Sequence, residues 1–126
     1  MRAVPLRGIS AGGTVVRVTT PGPLREPTFL VLAALGPGPL HGYGIIKAVE
    51  EMSEGRVRLR AGTLYGALER LESQGYVAFH GEGSDGGPAR RYYRLTTAGQ
   101  QLLTSEASRL AANARIAFAR LQVEPS

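Results

Sequence analysis

The spacing of apolar residues changes several times along the chain, and each spacing predicts a different element. An apolar run at residues 29–35 stops at a Gly-Pro-Gly-Pro sequence, which predicts a short buried helix. Ile45, Val49 and Met52 then recur at steps of four and three residues. This is the spacing of a buried helical face, and it predicts a second helix over residues 41–54.

Residues 56–60 alternate arginine with apolar residues, which predicts a short strand with Val57 and Leu59 facing inward. Helical spacing returns directly afterwards and predicts a third helix that ends at Gly75. The buried stripe of this helix comprises Leu64, Leu68 and Leu71. Its opposite side carries Thr63, Gly66, Ala67 and Arg70. The third helix thus combines a regular apolar face with an outer face of little bulk.

Two runs of strand character, residues 76–80 and 90–95, flank a glycine-rich loop at 81–88 and predict a hairpin. Alternation along the second run places Tyr93 and Leu95 inward. The outward positions of the same run are Arg90, Tyr92 and Arg94. The outer face of the hairpin is therefore basic and aromatic.

Residues 97–123 predict one long helix with Thr96 as its N-terminal cap. Apolar residues recur along one side of this helix in steps of four and three residues. This heptad spacing favours packing against another helix. We call these positions the seam: Leu103, Ala107, Leu110, Ala114, Ala117 and Leu121. We interpret the seam as a dimer interface, and packing against the chain's own domain is the alternative.

Positive charge is concentrated rather than spread along the chain. The 126 residues carry a formal net charge of +5. Residues 56–94 contain seven arginines against four acidic residues, and residues 1–26 contain four arginines against one. Such clustering favours a polyanionic partner.

The composition excludes several classes of function. The chain has no cysteine and two histidines, and His41 is placed to cap the second helix rather than to bind a metal. No arrangement of Ser, His and Asp predicts a catalytic site. We therefore predict no metal, no cofactor and no enzymatic activity. No apolar run approaches the roughly 20 residues of a membrane span, so we expect a cytoplasmic protein without a membrane partner.

The predicted order of helix, helix, strand, helix and hairpin is that of a winged helix-turn-helix domain. With the C-terminal helix added, the fold class is mainly α with a small β component (α+β). In this architecture the third helix enters the major groove of double-stranded DNA, and flanking arginines neutralise phosphates. The predicted DNA-binding residues are Arg58, Arg60, Gly62, Thr63, Tyr65, Gly66, Arg70, Arg90, Arg91, Tyr92 and Arg94.

Some of these residues have a structural alternative. Tyr65 is either a phosphate-contacting hydroxyl or part of the core. Arg70 either contacts phosphate or pairs with Glu69 or Glu72. Arg90 and Arg91 contact the DNA backbone or minor groove, or they belong to a solvated hairpin. For Tyr43 we favour the core over a DNA contact.

Several motifs in the same order resemble the PadR-like transcriptional regulators. They are Leu40-His41-Gly42-Tyr43, Gly62-Thr63-Leu64-Tyr65, Arg70-Leu71-Glu72, and Arg90-Arg91-Tyr92-Tyr93-Arg94-Leu95-Thr96. The resemblance covers about residues 27–121, and it implies a dimeric repressor that is released from DNA by a small-molecule effector or another signal. The two-fold symmetry of such a dimer predicts an inverted-repeat operator. The chain departs from the family at Arg60-Ala61, where Ser-Pro is common, so the usual hydroxyl cap of the third helix is missing. The chain has no tryptophan, so the tryptophan-lined pocket of some members is not carried over.

These interpretations divide the chain into three parts. Residues 1–26 are a flexible arm or the product of a misassigned start, residues 27–96 are the DNA-binding domain, and residues 97–123 are the dimerisation helix. The expected partners are operator DNA and a second copy of the chain. The alternative is a dimeric winged helix that binds another protein and does not bind DNA.

Overall fold

The computed structural model describes residues 23–83 and 89–125, and within these ranges it contains four helices and three short strands. The predicted arm up to residue 22 and the loop residues 84–88 lie outside the described residues. The elements are α1 (Glu26–Ala34), β1 (Leu40–His41), α2 (Gly42–Met52), α3 (Ala61–Ser73), β2 (Val77–Gly83), β3 (Arg90–Leu95) and α4 (Thr97–Leu121). The prediction of a mainly α winged-helix fold is confirmed.

One hydrophobic core lies between α1, α2, α3 and the sheet. Leu32, Ile45 and Leu64 are fully buried there, and they come from three different helices. The predicted apolar stripes of α2 and α3 therefore face each other. Met52 is the exception, because its side chain is 46% exposed. It occupies the last turn of α2, beyond the helices that cover Ile45.

The sheet is antiparallel, with β3 in the centre and the order β1-β3-β2. Tyr93 and Leu95 are buried, as the alternation along β3 predicts. The pairing of β2 with β3 shifts between Phe79 and Gly81, and Gly81 has φ +135°, a conformation that favours glycine. We call the β2–β3 hairpin the wing.

The strand predicted over residues 56–60 is wrong. Val57 and Leu59 are partly buried against the core and the arginines between them are exposed, so the predicted orientation of the side chains is correct. The backbone, however, pairs with no strand of the described residues. The place beside β3 is taken by β1, in which His41 lies opposite Tyr92.

Side-chain hydrogen bonds hold this extended segment instead of a sheet. Buried Ser53 accepts a hydrogen bond at Oγ from the N–H of Val57 at 3.0 Å. Arg56 donates two hydrogen bonds to the carboxylate of Glu26, at 2.7 and 3.0 Å. Glu54 and Gly55 both have positive φ and turn the chain out of α2. The segment thus delivers the chain to the start of α3.

The first turn of α4 is fixed against the end of α3. Thr96 caps α4, because its Oγ1 accepts a hydrogen bond from the N–H of Gly99 at 3.0 Å, as predicted. The same hydroxyl donates to the carbonyl of Gly75 at 2.6 Å. Gly99 lies so close to the carbonyl oxygen of Tyr76 that a Cβ at this position would overlap it. The close approach of α4 to the α3–β2 turn therefore requires glycine.

A buried carboxylate joins α4 to the segment before α1. Glu106 accepts a hydrogen bond from the N–H of Leu24 at 2.7 Å, and two from Arg109 at 2.8 and 3.0 Å. The hydrogen bonds from Arg109, followed by that from Leu24, lower the pKa of Glu106 to about 2. The charged form of Glu106 therefore stabilises the folded chain.

Substitution of Gly99 by alanine tests the close approach at the start of α4. We expect Gly99→Ala to lower the free energy of unfolding by about 2 kcal/mol, because the new methyl group meets the carbonyl oxygen of Tyr76. Gly66→Ala is the matched control, since nothing lies closer than 3.7 Å to its Cβ, and it should raise stability by up to about 1 kcal/mol. Urea denaturation measures the free energy of unfolding of both variants. Equal stability of the two variants would contradict this account of Gly99.

The buried carboxylate predicts a specific pH dependence. The pKa of Glu106 falls from an ordinary 4.5 to about 2 on folding. The contribution of the ionised carboxylate to the free energy of unfolding is therefore complete above pH 4.5, and it is lost as the pH falls towards 2. Glu106→Gln should be less stable than wild type at pH 7, and the two proteins should converge as the pH approaches 2. Denaturation curves across this range provide the measurement. A stability difference that stays constant with pH would contradict the assignment.

Candidate nucleic-acid interface

The outer face of α3 is exposed and carries little bulk. Gly62 and Thr63 are exposed, and no atom comes within 4 Å of the place that a Cβ of Gly62 would take. Gly66 is half-buried one turn further on. Ala67 was predicted on this face, but it is only 7% exposed and packs inward. The accessible low-bulk surface is therefore the first turn and a half of α3.

The N-terminus of α3 has no side-chain cap. Arg60 is the capping residue, with an extended backbone and no hydrogen bond from its side chain to the helix. The N–H of Leu64 is the first that the helix satisfies, by donating to the carbonyl of Arg60 at 2.9 Å. The N–H groups of residues 61–63 precede that hydrogen bond and are available to an anion. The hydroxyl cap is absent, as the sequence indicates.

A groove opens between the start of α2, α3 and the wing. We call it the α2–wing groove, and it is lined by His41, Gly42, Tyr43, Tyr65, Ala89, Arg90 and Arg91. The hydroxyl of Tyr65 lies directly over Gly42, where any Cβ would overlap it. Tyr65 is about half exposed, so its hydroxyl is accessible rather than part of the core. The groove brings Tyr65, Arg90 and Arg91 together, three residues that the sequence analysis assigned to DNA binding.

Tyr43 is 62% exposed, so the prediction that it belongs to the core is wrong. The buried face of α2 is set by Ile45 and Val49. Tyr43 is two residues before Ile45, which places it on nearly the opposite side of the helix. His41, Gly42 and Tyr43 were therefore missed as groove residues. The spacing of two residues between Tyr43 and Ile45 was the feature of the sequence that could have identified Tyr43 as exposed.

The arginines of β3 occupy different environments. Arg90 extends to His41, with 3.0 Å between Nη1 and Nε2. Arg91 lies over the ring of Phe79 at 4.1 Å, and its Nε donates to the hydroxyl of Tyr93 at 3.4 Å. This hydrogen bond raises the pKa of Arg91. Arg94 is exposed further along the strand. Tyr92, between them, is half-buried with its ring edge-on to His41.

Arg58 and Arg70 do not line the α2–wing groove. Arg58 donates to the carbonyl of Gly55 at 3.3 Å and lies 3.9 Å from the carboxylate of Glu50. Arg70 lines a hollow with Leu24 and Leu102, and no ion pair joins it to the glutamates of α3 among the described residues.

A second groove, which we call the α3 groove, contains both small and acidic residues. Its lining comprises Gly62, Tyr65, Gly66, Glu69, Glu72 and Tyr93. Tyr65 therefore borders both grooves. The carboxylates lie towards the C-terminal part of α3, so the electrostatic potential along this helix becomes less favourable to phosphate away from its N-terminus.

Most of the seam of α4 is solvent-exposed in the single chain. Ala107, Leu110, Ala114 and Ala117 are exposed, and Leu121 is 69% exposed. Leu103 is half-buried and packs against the core. Beyond this first position the alternative of packing against the chain's own domain is not observed. Ile116, on another side of α4, is also exposed.

The described residues contain no group of three or more His, Cys, Asp or Glu side chains that could hold a metal ion. None of the helices in ranges 23–83 and 89–125 is both long and apolar enough to cross a membrane.

Solved structures share this architecture. A PadR family transcription regulator from Clostridium difficile R20291 matches with a TM-score of 0.65 and 23% sequence identity, over 77% of this chain and 99% of that chain. Bacillus subtilis PadR, solved in complex with operator DNA, matches with a TM-score of 0.57 and 26% identity, over 64% of this chain and 46% of that chain.

The sequence also has a curated relative. An uncharacterized 37.1 kDa protein in transposon TN4556 of Streptomyces fradiae is 46% identical over 86 residues, which is 68% of this chain. The match spans 23% of the relative's own length.

The sequence pattern of the Transcriptional regulator PadR-like family matches residues 31–105, which is more than half of the chain. The match runs from α1 into α4 and includes every motif on which the resemblance was based. Because the family consists of transcriptional regulators, the prediction that the chain is a regulator and not an enzyme is confirmed. The chain belongs to the PadR-like family of transcriptional regulators.

Proposed function

We propose that this regulator binds an inverted-repeat operator in double-stranded DNA as a homodimer and represses transcription in the cytoplasm. Residues 27–96 bind the DNA, and residues 97–123 form the dimer. A small-molecule effector releases the repressor, a part of the proposal that rests on the family resemblance.

The observation that carries the proposal is the accessible, low-bulk start of α3 beside a cationic groove. A major groove accepts a helix only when its outer side chains allow close approach, and Gly62, Thr63 and Gly66 meet this requirement. Arg90 and Arg91 line the neighbouring groove, at the position from which they reach a flanking phosphate. The operator complex of Bacillus subtilis PadR supports the same use of the fold.

The seam supports the dimer. An isolated helix face of leucine and alanine that is exposed to water over several turns gains stability when a second copy covers it. A two-fold axis between two copies of α4 would present two copies of α3 to one face of the duplex. The operator half-sites would then lie about one helical turn, or roughly 34 Å, apart.

One observation favours the alternative of a protein-binding winged helix. Glu69 and Glu72 line the α3 groove, where they would repel phosphates that approach the C-terminal part of α3. A protein partner with basic side chains would suit that part of the surface. We prefer DNA because the lining of the α3 groove nearest the helix start, Gly62 and Gly66, is small and uncharged, and Arg90 and Arg91 line the adjoining α2–wing groove.

Two substitutions separate phosphate contacts from base reading. Arg90→Ala should weaken binding to every duplex and reduce the salt dependence, because a phosphate contact is lost. Thr63→Val should change which bases are preferred and leave the salt dependence unaltered. Gel-shift titrations measure the affinity for the DNA upstream of the protein's own gene and for a scrambled duplex. Arg115→Ala on α4 is the control and should bind as wild type. A wild-type protein that binds neither duplex at low salt would refute the proposal.

A charge in the seam tests the dimer. Leu110→Asp places a carboxylate on the exposed apolar face of α4, and we expect it to convert the dimer to a monomer. Ser108→Asp adds the same charge on another side of the helix and should leave the dimer intact. Light scattering gives the mass of each variant. Two variants of equal mass would show that the seam is not the interface.

A further inference from the structure

Two hydrogen-bond donors face each other in the α2–wing groove without an acceptor between them. His41 Nδ1 accepts a hydrogen bond from the N–H of Gly44 at 3.1 Å, as the cap of α2. A neutral imidazole carries one hydrogen, which then lies on Nε2. Arg90 Nη1 is 3.0 Å from the same Nε2, and a guanidinium has only donors. The contact between these two side chains is therefore not a hydrogen bond.

The opposite tautomer would let Nε2 accept from Arg90, but it would remove the acceptor of the Gly44 N–H. The capping bond is partly buried and its donor is fixed by the helix, whereas the contact with Arg90 is exposed. The guanidinium can turn to water and the backbone N–H cannot. The cap therefore determines the tautomer, and Nε2–H points towards Arg90.

Neighbouring aromatic rings hold the imidazole in this orientation. Tyr92 lies opposite His41 in the β1–β3 pairing and contacts it edge-on, with 5.2 Å between ring centroids. The ring of Tyr43 lies nearly parallel to the imidazole, with 6.5 Å between centroids and an interplanar angle of 11°. The donor is thus positioned by a helix cap, a strand pair and two rings.

We propose that His41 and Arg90 together bind one backbone phosphate of duplex DNA, with a phosphate oxygen accepting from Nε2–H and from the guanidinium. The proposal rests on the DNA binding proposed above and adds His41 to the residues that carry it. A phosphate oxygen is the acceptor that both donors lack. Because 3.0 Å between the two nitrogens leaves no room for an oxygen between them, the exposed guanidinium of Arg90 turns aside when the phosphate binds. Because neutral histidine displaces no counterion, His41 adds affinity without adding salt dependence, in contrast to Arg90.

The variant His41→Asn separates the two roles of His41. Asparagine is a preferred N-cap, so its side-chain oxygen replaces Nδ1, but it cannot place a donor at the position of Nε2. We expect an unchanged thermal midpoint, roughly tenfold weaker binding to upstream and scrambled duplexes alike, and an unchanged salt dependence. His41→Ala removes the cap as well and should also lower the thermal midpoint. Fluorescence anisotropy and thermal denaturation measure these effects.

The same measurements distinguish the possible failures. If wild type binds duplex and His41→Asn binds equally well, the phosphate role of His41 is refuted and the proposed function stands. If wild type binds no duplex, the proposed function is refuted and the phosphate contact with it.

A shared phosphate also predicts non-additivity. The loss caused by His41→Asn should shrink in an Arg90→Ala background, because the phosphate is no longer held there. An equal loss in both backgrounds would refute the shared contact. Independently of DNA, long-range ¹H–¹⁵N NMR reports the tautomer of His41, and a hydrogen on Nδ1 in the free protein would overturn the argument.

Discussion

The packing of single apolar faces into one small core is the constraint on which the rest of the molecule depends. Ile45 and Leu64 come from the single buried faces of α2 and α3, and Leu32 comes from α1, which is buried or half-buried from residue 28 to residue 34; all three side chains are fully buried. Among the residues that the structure describes, no further layer covers the other side of α3. The outer face of α3 is therefore exposed because of the way the chain buries its leucines, and its small side chains make that exposed face approachable.

Much of the fold could be predicted because one-sided burial leaves a period in the sequence. The stripe that contains Leu64, the alternation at Tyr93 and the cap at Thr96 were all predicted correctly. The failure at residues 56–60 shows the limit of such a pattern, since alternation reports which side is buried and not whether the backbone is paired. Tyr43 is exposed because it precedes buried Ile45 by two residues and so lies on nearly the opposite side of α2.

The candidate site was less predictable than the fold, because its contacts join residues that are distant in sequence. His41 meets Arg90 only through the sheet, and Tyr65 meets Gly42 only through the packing of α3 on α2. Local composition also overstated the cationic surface. Arg56 is paired with the carboxylate of Glu26, and Arg58 lies 3.9 Å from the carboxylate of Glu50. The arrangement of arginines, rather than their number, determines where phosphate can be held.

The attachments of α4 have a mechanical consequence. Thr96 fixes the first residues of the helix to the end of α3, and Glu106 fixes its next turns to the segment before α1, while the remainder extends away from the core. The helix α4 is therefore fixed to the core at its N-terminal end, whereas its C-terminal part makes no contact with the core formed by the described residues. In the proposed dimer, a change in the angle at which the two copies of α4 cross would change the distance between the two copies of α3, without any rearrangement inside either core.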